Sequence, residues 1–249
     1  MEKEAGKKIK IPSEVVYVLA LLLLSLSVAM LTSANFGISM IVAPAYLLSL
    51  KIDFLSFGQA EYVIQAILFI LLCLIIRKFK PIFLTSFLTC ILYGLVLDLW
   101  RMIPFFNTSV TPPESLDLWI RILLFVSGVL LTGFSVALFF KTYFYPQVYD
   151  FATKCITARY HFKLFFVKTS VDFSMLGAAL IMTFCFFGHL EGIGWGTLVM
   201  AVLNGTIIEL FSRFLDHCFE FRPLFPKFAS FFDLSFDSKR GAKKNEAEE

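Results

Sequence analysis

Six long apolar runs divide this sequence, and they constrain its fold more than any other feature. A bilayer core about 30 Å thick needs about 20 mostly apolar residues in a helix. The runs that meet this requirement are 15–34, 58–76, 82–100, 118–140, 170–187 and 193–212. Because 58% of the chain is hydrophobic and only 16% is charged, a water-soluble core of this size could not bury the apolar surface. The sequence therefore predicts an all-α membrane protein with six transmembrane helices.

The basic residues predict how these helices are oriented. Lys and Arg collect before the first run, between the second and third, between the fourth and fifth, and after the sixth. Cytoplasmic loops of membrane proteins carry such an excess. We therefore expect a multi-pass protein of the cell (plasma) membrane with both termini in the cytoplasm. A cleavable signal peptide also fits the lysine-rich start, but its removal would spoil the alternation of charge.

Two further apolar segments, 36–49 and 141–155, are too short to cross a bilayer and are interrupted by glycine or proline. They predict short broken helices after spans 1 and 4. Such helices are either re-entrant or lie at the membrane interface, and the sequence leaves both open. The rest of the chain divides into a cytoplasmic basic N-terminus (1–14), an external loop (101–117), and a cytoplasmic interfacial segment with a charged tail (213–249).

The two halves of the chain repeat each other. A shift of 111 residues, the separation of Glu61 and Asp172, also aligns two glycines and a second pair of acids: Gly94 with Gly205, and Asp98 with Glu209. Each copy holds three spans, an odd number, so the second copy must run through the membrane in the opposite direction. The pattern predicts two inverted three-helix repeats, 15–100 and 118–212, an arrangement typical of secondary transporters.

The aligned carboxylates are the candidate site residues. An acid within a span is costly and usually faces the bundle interior, a partner or a water-filled cavity. We expect Glu61 and Asp172 to form a central polar pair for substrate or ion coupling, with Asp98 and Glu209 as gate or support residues. The alternative is simple ion pairing, because three of the acids have a basic residue three or four positions away, namely Arg101, Lys168 and Arg213.

Glycines accompany these acids. Gly94 and Gly205 each lie four residues before the acid of their span, where a small residue lets helices approach closely. Gly194, Gly196 and Thr197 open the sixth span. A glycine-rich helix N-terminus offers free backbone N–H groups and a positive dipole end, so these three residues are candidates for a backbone anion site or for helix packing.

Other classes of function find no support in the sequence. The five cysteines are odd in number and form no CxxC pair, so neither a disulfide framework nor a zinc site is expected. A P-loop, a nucleophile elbow and a dinucleotide fingerprint are absent from the sequence. The basic residues lie beside apolar runs, which argues against a nucleic-acid partner. We therefore expect a protein that is not an enzyme and that has no metal and no cofactor.

Several motifs occur in a paired pattern. In the first half, Ser56-Phe57-Gly58 opens span two and Gly94-x-x-x-Asp98 closes span three. The second half carries Pro146-x-x-x-Asp150, Asp172, and Gly192-Ile193-Gly194-Trp195-Gly196-Thr197 before Gly205. Over residues 36–211 this pattern resembles the YczE/YyaS/YitT-like bacterial integral membrane proteins, whose members typically show a Gly-Ile-Gly-Thr run that Trp195 interrupts here. The resemblance implies a bacterial inner-membrane protein with suspected transport, and it supplies no catalytic residues.

These features predict a small-molecule secondary transporter or exporter, coupled to protons or another cation, that works by alternating access between inverted repeats. The alternative is a non-transporting membrane partner such as an assembly, sensing or immunity factor, for which the phenylalanine-rich segment 219–236 would be a docking surface. The expected partners are the lipid bilayer and an unknown small-molecule substrate. A homo-oligomer or a partner membrane protein is left open.

Overall fold

The computed structural model describes residues 9–232, in which the chain is helical apart from two short strands. The long helices are α1 (Ser13–Ala34), α3 (Phe57–Ile76), α4 (Leu84–Arg101), α5 (Leu118–Phe140), α7 (Leu164–Phe187) and α8 (Trp195–Cys218). The shorter elements are β1 (Ile9–Pro12), α2 (Ala43–Lys51), α6 (Val148–Tyr160), β2 (Phe219–Arg222) and α9 (Pro226–Ala229).

Among residues 9–232, six helices are long and apolar enough to cross a membrane, which matches the predicted number of spans. The fourth, Leu118–Phe140, has the predicted bounds, and the sixth continues beyond residue 212 to Cys218. Their outward faces carry large apolar side chains, as a helix surrounded by lipid requires. Of the predicted basic N-terminus (1–14) and C-terminal segment (213–249), residues 1–8 and 233–249 lie outside the described residues.

The two described ends of the chain lie side by side, in an arrangement that the sequence did not predict. Strand β1 pairs in parallel with β2, with Ile9 opposite Phe219. Next to this pair, the carboxylate of Glu14 accepts hydrogen bonds from the backbone N–H groups of Leu224 and Phe225. Both ends therefore lie at the same face of the helix bundle, as an even number of spans requires.

Helix α6 begins inside the helix bundle and leads back to one of its faces. The N–H group of Val148, its first residue, donates to Oε1 of Gln65 at 3.0 Å, and Gln65 is the ninth of the 20 residues of α3. At the other end of α6, the hydroxyl of Tyr160 donates to the carbonyl of Ile75 at the end of α3. The segment that precedes α6 thus reaches the middle of the bundle, and α6 returns to the face from which the segment came.

Helix α2 is also covered by protein. Tyr46 is buried and its ring lies 5.4 Å from the ring of Phe57, the first residue of α3. The ammonium group of Lys51 donates to the carbonyl of Phe186 near the end of α7. Helix α2 therefore packs between the start of α3 and the end of α7, and it is not a connector lying on the surface.

Candidate substrate cavity

A cavity of about 530 Å³ lies between α1, α5, α6, α7 and α8. One wall is apolar and comes from α1, α5 and the segment before α2. The other wall is polar and comes from α6, α7 and α8; it includes Asp150, Lys154, Lys168, Asp172, Asn204 and Glu209. These polar side chains lie up to 59 positions apart in the sequence, from Asp150 to Glu209.

A lysine joins two carboxylates in the polar wall. The ammonium group of Lys168 lies 3.0 Å from Asp150 Oδ1 and 3.5 Å from Asp172 Oδ1. The contact with Asp172 follows from the predicted spacing of four residues on one helix. The contact with Asp150 links α7 to α6, and sequence spacing did not indicate it.

A second lysine of α6 faces the same cavity. Lys154 Nζ lies 5.0 Å from the centroid of the Phe140 ring, within the range of a cation–π contact. Burial lowers the pKa of Lys154, and the nearby Asp150 opposes this shift. The polar wall therefore presents both signs of charge to whatever occupies the cavity.

Glu61 lies behind the polar wall and is completely buried. Its Oε2 atom accepts hydrogen bonds from Gln65 Nε2 at 3.0 Å and from the hydroxyl of Tyr149 at 2.9 Å. Gln65 Nε2 also donates to Gln147 Oε1 at 3.1 Å. Tyr149 and Gln147 both line the cavity, so this network connects Glu61 to it. Burial raises the pKa of Tyr149 well above its usual value, so its phenol keeps its proton and remains a donor.

Glu61 and Asp172, the predicted central pair, are connected through α6. Tyr149 contacts Glu61, and the next residue, Asp150, contacts Lys168 beside Asp172. Asp172 lines the cavity, whereas Glu61 is shielded from it by Tyr149. The pairing of their roles stays a prediction.

Asp98 caps the start of α3. Its Oδ2 accepts from the hydroxyl of Ser56 at 2.5 Å, and its Oδ1 accepts from the backbone N–H of Gly58 at 2.9 Å. A carboxylate at this point is stabilised by the positive end of the helix dipole. The anticipated alternative, an ion pair with Arg101, is absent from the described residues. Arg101 instead donates to Thr108 Oγ1.

Glu209 differs from Asp98, the residue with which the repeat aligns it. It pairs with Arg213 one turn later, as the alternative of local ion pairing predicts, and its side chain is 63% exposed. Glu209 also lines the cavity. Asp98 therefore ties two helices together, whereas Glu209 interacts within its own helix.

The two aligned glycines have opposite surroundings. A Cβ atom added to Gly94 would clash with the Tyr62 ring and lie 2.8 Å from the carbonyl oxygen of Gly58, so α3 and α4 are in close contact. A Cβ atom added to Gly205 would have no atom within 4 Å. Helices α7 and α8 make almost no contact along their lengths, and the cavity opens between them.

The glycines before α8 let another backbone approach. The N–H of Gly196 donates to the carbonyl of Phe36 at 2.8 Å, and the N–H of Gly194 faces Thr197 Oγ1 at 3.3 Å. A Cβ atom on Gly194 or Gly196 would clash with the Phe36 carbonyl. These N–H groups are thus engaged within the protein, and the geometry favours packing over the backbone anion site.

Sequence reasoning missed most of the polar wall. Gln65, Gln147, Tyr149 and Asp150 were not among the predicted site residues. The sequence signal that could have found them is the group of polar residues after Pro146 in an otherwise apolar segment. If that segment enters the bundle, these polar side chains need partners inside it. Among the described residues, no cluster of three or more His, Cys, Asp or Glu side chains could hold a metal ion.

Comparison with known proteins places the chain in a family. It is 29% identical over 203 residues to the uncharacterized protein YyaS of Bacillus subtilis (strain 168), which covers 82% of this chain and 94% of the relative. No solved structure matches the chain. The model of a family of unknown function, DUF6198, matches residues 11–213. The chain, whose resemblance to YyaS-like membrane proteins is thereby confirmed, belongs to the DUF6198 family.

Proposed function

We propose that this protein is a small-molecule secondary transporter that works by alternating access between two inverted repeats, with the cavity between α7 and α8 as its substrate site. The observation that supports this proposal most strongly is a difference in helix packing between the two halves of the chain. Helices α3 and α4 are closely packed at Gly58 and Gly94, whereas α7 and α8 stand apart around a cavity. Alternating access requires one half to be closed while the other is open.

The helix boundaries support the repeat. Helices α3 and α7 end at Ile76 and Phe187, and α4 and α8 begin at Leu84 and Trp195, both 111 residues apart. The pattern of contacts between helices also supports the repeat. Contacts of α1 with α4 correspond to those of α5 with α8, and contacts of α2 with α7 correspond to those of α6 with α3. The packing of α3 on α4 is the contact that lacks a counterpart of similar extent.

The cavity suits an amphipathic substrate. Its volume of about 530 Å³ falls within the range of small-molecule sites, roughly 300–1,000 Å³. The apolar wall would bury a hydrocarbon portion. The polar wall, with Lys154 and Lys168 beside Asp150 and Asp172, would bind a head group that carries both signs of charge. A zwitterionic amphiphile therefore fits the cavity best.

The proposed location is the plasma membrane, with both termini in the cytoplasm. The basic loop at residues 77–80 and Lys141, which pairs with Asp216 near the end of α8, belong to the face at which β1 and β2 pair. This distribution agrees with the excess of Lys and Arg in cytoplasmic loops. Lys168, at the rim of the cavity, lies about one turn from the start of α7 at the same face. The conformation described is then the inward-facing one.

The test uses two cysteine pairs at positions that the repeat makes equivalent. In a background without the five native cysteines, we would introduce Tyr62→Cys with Gly94→Cys, and Phe173→Cys with Gly205→Cys. The first pair should cross-link at once, because Tyr62 contacts Gly94. The second should cross-link only when α7 and α8 close.

The second part of this experiment measures transport into proteoliposomes that contain the cysteine variants. Uptake of radiolabelled zwitterionic amphiphiles should stop when the pair at 173 and 205 is oxidised, and it should return after reduction. If no member of the panel is transported and this pair never cross-links, the transporter proposal is wrong and the non-transporting membrane partner is favoured.

A further inference from the structure

We infer that Glu61 is a proton-binding site and that the hydroxyl of Tyr149 is its gate to the cavity. The inference rests on the proposed transport function, which it deepens by naming the coupling ion. It concerns a residue that is separated from the substrate cavity by one side chain.

The first observation is that Glu61 is buried without a counter-ion. Its exposed fraction is 0%, and no Lys, Arg or His among residues 9–232 lies within ion-pairing distance of it. An isolated buried carboxylate costs far more free energy than a neutral acid, because the charge loses its hydration. The surroundings of Glu61 in this conformation therefore favour the protonated form.

The second observation is how the two carboxyl oxygens are used. Both donors, Gln65 Nε2 and the Tyr149 hydroxyl, point at Oε2. Oε1 is buried and has no hydrogen-bond partner among the described residues. This pattern matches a carboxylic acid, with Oε2 as the carbonyl oxygen that accepts two hydrogen bonds and Oε1 as the hydroxyl. An ionised carboxylate would leave a charged Oε1 unpaired in the core, which costs more free energy than an unpaired neutral group.

The third observation is that the surroundings of Glu61 suit a proton better than a metal cation. A hard cation such as Ca²⁺ or Mg²⁺ takes about six or more oxygen ligands. Gln65 and Tyr149 present hydrogens to Glu61, because both donate to it, and the amide oxygen of Gln65 accepts from the N–H of Val148. A proton needs a single oxygen, and Glu61 supplies it.

The route for the proton follows from the position of Tyr149. Tyr149 lines the cavity, while its hydroxyl lies 2.9 Å from Glu61 Oε2. When Tyr149 moves aside, water in the cavity can reach Glu61 and accept the proton from Oε1. The resulting carboxylate keeps the hydrogen bond from Gln65. Helix α6 also carries Asp150, which forms an ion pair with Lys168 of α7. Movement of α7 against α8 would therefore be transmitted through this ion pair to the adjacent residue, Tyr149.

The test observes the proton itself. Infrared spectra of the full-length protein in liposomes, recorded across a pH series, should contain the carbonyl-stretch band of a protonated carboxylic acid. The band should vanish in Glu61→Gln and shift in frequency in Tyr149→Phe, which loses one hydrogen bond to Oε2. Tyr160→Phe is the matched control, because Tyr160 is a hydroxyl donor of the same helix whose partner is the carbonyl of Ile75.

Each outcome has a defined meaning. A band that is identical in the wild type and in Glu61→Gln would overturn the inference, as would a band that sodium ions abolish at constant pH, since a cation would then occupy the site. The spectra require no substrate, so absence of flux in the transport assay would refute the proposed function without affecting this result. If Glu61→Gln fails to fold, the shift in Tyr149→Phe still decides the matter.

Discussion

The contrast between Gly94 and Gly205 leads to the sharpest prediction. The proposed repeat makes these residues equivalent, but the first lies in a close contact between helices and the second lies beside a cavity. Replacing each with alanine adds the same methyl group to the same place in each half. The two variants should nevertheless behave in opposite ways.

The expected magnitudes follow from the surroundings of each added Cβ. In a helix interior, Gly→Ala is favourable by about 1 kcal/mol. At Gly205 nothing opposes this gain, because no atom lies within 4 Å. At Gly94 the methyl group would lie 2.8 Å from the Gly58 carbonyl oxygen and overlap the Tyr62 ring. Such overpacking costs roughly 1–3 kcal/mol, so Gly94→Ala should be destabilising by up to about 2 kcal/mol.

Two assays separate the variants. Thermal unfolding in detergent should show a lower melting temperature for Gly94→Ala and an unchanged or higher one for Gly205→Ala. Flux should nevertheless fall in Gly205→Ala, because the closed state of α7 and α8 would bring the methyl group into a contact like that at Gly94. A penalty of 1–3 kcal/mol in that state corresponds to roughly a 5- to 150-fold loss.

Two results would refute this reasoning. Equal loss of thermal stability in both variants would mean that α7 and α8 are already packed at Gly205. Wild-type flux in Gly205→Ala, in a protein with measurable transport, would mean that closure does not bring this part of α8 against α7.

Three further predictions concern other parts of the site. Ser56→Ala removes the capping box of α3 and should lower stability by about 1 kcal/mol, seen as a lower melting temperature. A double-mutant cycle of Lys168→Gln and Asp150→Asn should give a coupling energy of about 1 kcal/mol, and additive effects would show that their contact contributes nothing. Burial raises the pKa of Cys155 to about 12, so little thiolate forms at pH 8; maleimide should label it after denaturation only, and rapid native labelling would contradict its burial.

Sequence reasoning came closest where a residue's environment follows from its own helix. Glu61 is the one aligned acid without a basic residue three or four positions away, and the structure buries it without a cation among the described residues. The local pairs at a spacing of four, Lys168 with Asp172 and Glu209 with Arg213, are also present. Both kinds of inference need only the helix periodicity and the cost of charge in a membrane.

It failed where the partner comes from a distant part of the chain. Asp98 has Arg101 three residues away, yet it binds Ser56 and Gly58, because the close approach of α3 and α4 presents two hydrogen-bond donors at a helix N-terminus. Spacing along a helix contains no information about a donor on another helix. The same limit concealed the contact between Asp150 and Lys168.

The sequence by itself determined the six apolar helices, since the hydrocarbon core sets their length and excludes charge. It also pointed to the 111-residue correspondence and the acids that it aligns. Only the tertiary structure decided that α6 enters to the depth of Gln65 and that one helix pair is closed while its counterpart is open. Gly94 and Gly205 are the same residue type within long apolar helices, so the difference in their surroundings arises from packing between helices, which apolar periodicity alone leaves unspecified.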